Sequence, residues 1–191
     1  MPQENRSRAV ILGVLSLGPA SGYDIKQVLD QGTNHFWKIS YGQIYPTLRA
    51  LEEQGQATRE VMRGDGKPDR HVYTITERGR DELQRWLALP IEHEMPRSEL
   101  LLKLFFGKQV PTPVMIGHIA DFREQLLAIL DTYDGIETWL RHDMASHPEQ
   151  PYWLMTVRFG QHWARGLLAW CDESLAALEG IAEEEAAAPA S

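Results

Sequence analysis

Ser40 to Gly55 constrain this chain more than any other stretch. Ile44, Leu48 and Leu51 recur at helical spacing and define one stripe for burial. Ser40 stands where a helix starts, and Gln43 three positions on completes the pattern of a capping box. Gly55 stands where a helix stops, because glycine enters the left-handed conformation without steric penalty. The opposite face carries Tyr41, Gln43, Tyr45, Thr47 and Arg49, side chains able to contact phosphates and base edges. A short helix with one apolar stripe and a polar, aromatic outer face has what a DNA-reading helix requires. Pro46 sits inside it, where a proline loses a hydrogen bond and costs ~3 kcal/mol. A distorted or late-starting first turn is expected there, and a broken local rule of this kind often marks a functional surface.

The flanking residues give that helix a context. Arg6 to Leu17 reads as a first helix, stopped by Gly18-Pro19. Ser21 then caps a second helix from Gly22 to about Gln31, with Asp24 in its first turn. After Gly55, residues 56–63 and 70–76 read as an antiparallel pair around the turn signal at 64–69. That hairpin carries Arg59, Arg63, Lys67 and Arg70, cations placed to reach flanking phosphates or a minor groove. A further helix starts at Thr76 and runs to Pro90. Two helices, a recognition-like helix and a charged hairpin, in that order, describe a winged helix-turn-helix over residues 1–89.

Residues 90–96 hold two prolines and read as a linker, and residues 97–185 are helical throughout. From Met115 the apolar positions continue through Ile119, Phe122, Leu126, Ile129, Tyr133, Ile136 and Leu140. Their alternating spacing of four and three is a coiled-coil seam, whose partner is either a neighbouring helix or a second subunit. Phe122, Leu126, Ile129 and Tyr133 are the candidate dimerisation residues. A last helix, from about Gln150 to Glu184, is apolar on much of its surface, which predicts burial on more than one side. Trp139, Trp163 and Trp170 are candidates to line a pocket for a flat aromatic ligand, with core packing as the plainer reading. Residues 186–191 read as a flexible tail. The fold expected is mainly α with a small β-wing: an N-terminal winged helix-turn-helix and a C-terminal α-helical dimerisation domain.

A net charge of −8 argues against a nucleic-acid partner until its distribution is read. Residues 1–85 hold 12 Lys and Arg against 11 Asp and Glu, a net of +1, so the remainder carries −9. DNA affinity depends on local phosphate contacts, and a neutral N-terminal half can supply them. A lone cysteine, Cys171, permits no disulfide within the chain. No apolar run approaches the ~18 residues of a membrane span, and no signal-peptide core follows the first residues; a cytoplasmic protein is expected. The histidines lack zinc spacing, and no phosphate loop, nucleophile elbow or metalloprotease histidine pair occurs. No cofactor, no metal and no enzyme activity are expected.

Three motifs together resemble the PadR family of bacterial transcriptional regulators. They are Gly22-Tyr23-Asp24-Ile25, the Ser40-to-Gly55 segment, and Arg70-x-x-Tyr73-x-Ile75-Thr76-x-x-Gly79. The helical C-terminal half resembles the longer PadR subgroup in pattern. The resemblance implies a homodimeric repressor on an inverted-repeat operator of double-stranded DNA, relieved in many relatives by small aromatic effectors. The alternative is a winged-helix adaptor that binds proteins without DNA. One departure is Gln56-Ala57, where the family has an apolar pair, and looser packing of the first wing strand is expected there.

Overall fold

The computed structural model describes residues 3–33, 36–37, 39–64, 67–91 and 98–187. It divides into two compact units, Met1–Glu94 and Met95–Ser191. No helix among the described residues is long and apolar enough to cross a membrane. The centres of the predicted turn and linker (residues 65–66 and 92–97) and the last four tail residues fall outside the described set.

The first unit runs α1 (Gln3–Leu17), β1 (Ala20–Ser21), α2 (Gly22–Gly32), α3 (Tyr41–Glu53), β2 (Ala57–Gly64), β3 (Lys67–Ile75) and α4 (Glu77–Ala88). Its core joins Ile11, Leu12 and Leu15 of α1 to Ile25 and Leu29 of α2, and the Ile44–Leu48–Leu51 stripe of α3. Ala57, Tyr73 and Ile75 close it from the sheet. The sheet is antiparallel in the order β1-β3-β2, with Ala57 opposite Ile75, Met62 opposite Arg70, and an irregularity between Met62 and Gly64. The two-residue strand β1 was absent from the sequence reading. It pairs Ala20 with Tyr73 and Ser21 with Val72, which fastens the wing to the start of α2.

Three local expectations change. The capping box lies at Ser21, not Ser40: the Asp24 amide donates to Ser21 Oγ, and the Ser21 amide donates to Asp24 Oδ2 at 2.8 Å. Ser40 makes no side-chain cap bond; its carbonyl accepts from the Gln43 amide at 2.9 Å. That bond spans three residues, so the turn ahead of Pro46 is tightened, and α3 begins at Tyr41 without delay. The third change is at Gln56 and Ala57, which are 5% and 2% exposed and pack tightly. The Gln56 side chain accepts a 2.7 Å bond from Arg8, which satisfies the polar group that an apolar pair would lack.

The second unit holds α5 (Glu99–Phe105), a 3₁₀ turn (Gly107–Gln109), α6 (Thr112–His142) and α7 (Gln150–Ala187). The seam of α6 packs on α7 of the same chain. Ile119 and Leu126 meet Cys171, with Phe122, Leu168, Leu175 and Leu178 around them. Tyr133 and Leu140 meet Val157, with Ile129, Ile136, Trp153 and Leu154 around them. Where α7 crosses Tyr133, the residue is Gly160. Gln161 beside it is 4% exposed and donates its amide hydrogens to Asp134 (2.8 Å) and Glu137 (2.7 Å) of α6.

Burial on α7 falls on small or polar residues: Val157, Gly160, Gln161, Ala164 and Cys171. Within one chain α6 covers one side of α7, and Tyr152, Met155, Phe159 and Trp163 on its other faces are 46–70% exposed. Burial pushes the Cys171 thiol above its ordinary pKa.

Candidate nucleic-acid interface

Because Ile44, Leu48 and Leu51 are buried, the other side of α3 is turned outwards. Tyr41, Tyr45 and Arg49 are exposed, and Gln43 and Thr47 are partly so. The five candidates are accessible along two rows, Tyr41, Tyr45 and Arg49 on one side of the buried stripe and Gln43 and Thr47 on the other. The Tyr41 and Tyr45 rings meet edge-on, with centroids 5.8 Å apart, and the Lys26 ammonium lies 5.5 Å from the Tyr41 centroid. A hydrogen bond with Tyr41, then burial, raise the Tyr45 phenol above its ordinary pKa. Tyr45 also braces the fold: a Cβ on Gly22 would stand 2.7 Å from its ring, so only glycine lets α2 approach it.

The wing divides its cations. Arg63 lies on β2 and Lys67 on β3, on either side of the turn; their side chains lie outside the described residues. Arg59 pairs with Glu52 at 3.2 Å. Arg70 pairs with Asp24, so it ties β3 to the capping box of α2 and its charge is already partnered. That contact gives Arg70 a structural role beside its place among the candidate DNA cations. Burial raises the Asp24 pKa, but the Ser21 amide and hydroxyl and the Arg70 guanidinium outweigh it and hold the carboxyl below its ordinary value. A depressed carboxylate stabilises the fold above its unfolded pKa of ~3.9 and loses that contribution as the pH falls through the folded value. With both partners partly exposed, Asp24→Asn is expected to cost about 1 kcal/mol at pH 7. In urea melts that cost should shrink towards zero below pH 3 (roughly the acid side of the carboxylate range); a constant cost would refute the ion pair.

The end of α3 is anchored twice. Arg8 donates to Gln54 and Gln56 on either side of Gly55, and Gly55 turns with φ +68°. Thr76 Oγ1 donates to the Gly55 carbonyl at 2.8 Å and accepts from the Gly79 amide at 3.1 Å. The Thr76 amide donates to the Gln56 carbonyl at 3.0 Å. The Arg8 anchor was missed from sequence, since nothing in the spacing of Arg8, Gln54 and Gln56 announces a contact.

In the second unit the candidate dimerisation residues Phe122, Leu126, Ile129 and Tyr133 do share a face, but α7 of the same chain covers it. Among the described residues, no contact brings the candidate pocket residues into one cavity. Trp139 and Trp163 are 47% and 46% exposed, and Trp170 packs edge-on to Phe122 with centroids 6.5 Å apart.

Residues 11–85 match the transcriptional regulator PadR-like family, and residues 96–179 match the virulence activator alpha C-terminal family. The chain belongs to the PadR-like family. It is a DNA-binding transcriptional regulator with a winged-helix reading unit. A Streptococcus mutans protein, smu.1604c, is 32% identical and superposes with a TM-score of 0.72 over 88% of this chain and 98% of that one. The probable transcriptional regulator Rv1176c of Mycobacterium tuberculosis is 28% identical over 84% of this chain and 90% of its own length. The negative transcriptional regulator PadR of Bacillus subtilis is 26% identical over 88% of this chain and 95% of its own. That protein's complex with operator DNA superposes with a TM-score of 0.79 at 25% identity, over 90% of this chain and 98% of that one. Its complex with p-coumaric acid gives 0.75 at 24% identity, over 94% and 98%. The PadR-like assignment explains the three motifs physically. Gly22 admits Tyr45, Asp24 pairs with Arg70, and Thr76 and Gly79 close on the end of α3.

Proposed function

We propose that the protein is a cytoplasmic repressor that binds an inverted-repeat operator as a homodimer and releases it to a small aromatic ligand. The observation that carries the reading is the outward face of α3, with Tyr41, Gln43, Thr47 and Arg49 accessible beside a basic wing. Gln43 and Arg49 contact base edges or phosphates, Tyr41 and Thr47 line the groove, and Arg63 and Lys67 reach the flanking backbone. The operator and the ligand are supported by the Bacillus subtilis relative, which has been solved with each.

The test is DNA from upstream of the protein's own gene. Replacing Arg63 and Lys67 with alanine is expected to weaken binding and to lower the salt slope by about 1 per cation removed. Unchanged affinity and slope would take the wing out of the interface. Absence of any salt-sensitive shift would favour the adaptor reading.

A dimer needs apolar surface that α7 does not already cover. The exposed Phe105 and Phe106 of the α5 end and Tyr152, Met155 and Phe159 of α7 supply it. Phe159→Glu combined with Phe105→Glu is expected to give a folded monomer in size-exclusion chromatography with light scattering. An intact dimer would return the interface to other residues.

A further inference from the structure

We infer that the ridge formed by Gly42 and Pro46 is the part of α3 that lies deepest in the operator groove. There the Pro46 ring reads the methyl group of a thymine, and Gly42 lets the backbone come close enough for the contact. This rests on the reading that α3 enters the operator, and it names the residue that sets specificity and the base feature it selects.

The direction of the ridge follows from the helical period. Ile44, Leu48 and Leu51 are buried, and at 3.6 residues per turn Gly42 and Pro46 lie about 150–170° round the helix from the middle of that stripe. Both are exposed. Tyr41 and Gln43 flank them on the two sides, nearer the body of the fold. At the same spacing the ridge continues through Arg49 to Glu53, both exposed. It is therefore bare at its start, basic in the middle and acidic at its end. The first turn of α3 holds no acidic residue, so a polyanion meets the N-terminal half with least repulsion. Helices that read a major groove do so with their N-terminal residues.

Glycine and proline belong together at these two positions. Proline inside a helix has no N–H to donate, and its ring crowds the carbonyl four residues back, here that of Gly42. Gly42 brings no Cβ to that crowding, and among the described residues the space where one would stand is open. The core of the unit is built from the stripe on the other side of α3, so the exposed proline weakens the helix without adding to that packing. Bound DNA supplies the missing contact. Side chains lean towards the start of a helix, which sets the Pro46 ring beside the bare Gly42 backbone. Glycine allows close approach of backbone to a ligand. A rigid apolar ring then meets a thymine methyl with no rotamer freedom to lose. Among the four bases only thymine carries that methyl on its major-groove edge.

The experiment uses the full-length protein and the shortest duplex from upstream of its own gene that it binds. Every thymine of that duplex is replaced by uracil, which keeps the base pairing and removes only the methyl groups. Binding is read by fluorescence anisotropy over a range of salt. The exchange is expected to weaken binding about fourfold for each half-site, the worth of one buried methyl. The salt slope should not change, because no cation is lost. Pro46→Ser should weaken binding to the thymine duplex by the same factor, leave the uracil duplex bound as before, and unfold at higher urea. Gly42→Ala should also unfold at higher urea, since its methyl enters open space in the free fold. It should nevertheless weaken both duplexes about tenfold, by collision with the base edges. A merely structural role would make stability and affinity fall together, and that outcome overturns the ridge. Equal binding of the two duplexes, or a uracil penalty that Pro46→Ser retains, overturns it too. The uracil exchange is made in the DNA alone, so it decides even if a variant fails to fold. If Gln43→Ala or Arg49→Ala still weakens binding in those cases, α3 remains the operator helix. Should none of the four substitutions change operator binding, both readings fall.

Discussion

Gly160→Ala is expected to destabilise the C-terminal unit by about 2–3 kcal/mol, the upper part of the overpacking range. The sign is the informative part. Alanine is better than glycine in a helix interior by ~1 kcal/mol, so an unhindered glycine on α7 should gain from the change. Gly166 and Gly180 have open space around a prospective Cβ and serve as controls; each alanine there should stabilise by ~0.5–1 kcal/mol. At Gly160 the new carbon would stand 2.6 Å from Tyr133 Cε1, against a ring that is 7% exposed and has nowhere to turn. The contact is tested by a double-mutant cycle. With Tyr133→Ala in the background, Gly160→Ala should become neutral or favourable, a coupling of about 2 kcal/mol. Additive costs would show that Tyr133 is not what Gly160 accommodates.

The second large effect is expected at Gly79, in the first turn of α4. A Cβ there would fall against the Gln56 carbonyl oxygen and 2.9 Å from Ile75 Cγ1. The obstructing group is backbone, and it is held by the 3.0 Å bond from the Thr76 amide, so it has little freedom to retreat. Gly79→Ala should cost about 3 kcal/mol, near the top of what overpacking produces. Operator affinity should fall with it, because the displaced carbonyl belongs to the elbow that positions α3. Gly13→Ala in α1, with open space at the Cβ, should be neutral or stabilising in the same urea titrations. If Gly79→Ala melted like Gly13→Ala, the close approach of α4 to that elbow would be disproved.

What the sequence made legible was what period and punctuation encode. The stripe Ile44–Leu48–Leu51 and the spacing from Met115 to Leu140 appear in the structure as read, because apolar recurrence reports which face is buried, and the hairpin appears with strands that run further into the expected 64–69 turn, to Gly64 and from Lys67. What covers a face was not legible. The seam of α6 is met by large apolar residues of α7 such as Trp153, Leu154, Leu168 and Leu175, but at its most buried points by Gly160, Gln161, Ala164 and Cys171, which carry little hydrophobic signal. Trp139 and Trp163 are bulky but lie off the contact stripe, half exposed. That the α3 candidates are accessible was readable from the apolar stripe beside them. The roles of Arg8 and Arg70 were not, since Gln54, Gln56 and Asp24 meet them only after the chain has folded back on itself.

Gln161 limits how the C-terminal unit can answer a stimulus. Its buried amide spans Asp134 and Glu137, one helical turn apart on α6, and Arg158 and Arg165 approach the same two carboxylates at 3.9 and 3.6 Å. Sliding α7 along α6 by one turn would detach that amide from both acceptors, a cost of several hydrogen bonds at once. The hairpin therefore resists telescoping. Motion passing through it must take the form of a stiff rod that tilts or bends, with the angle of α6 and α7 as the transmitted variable.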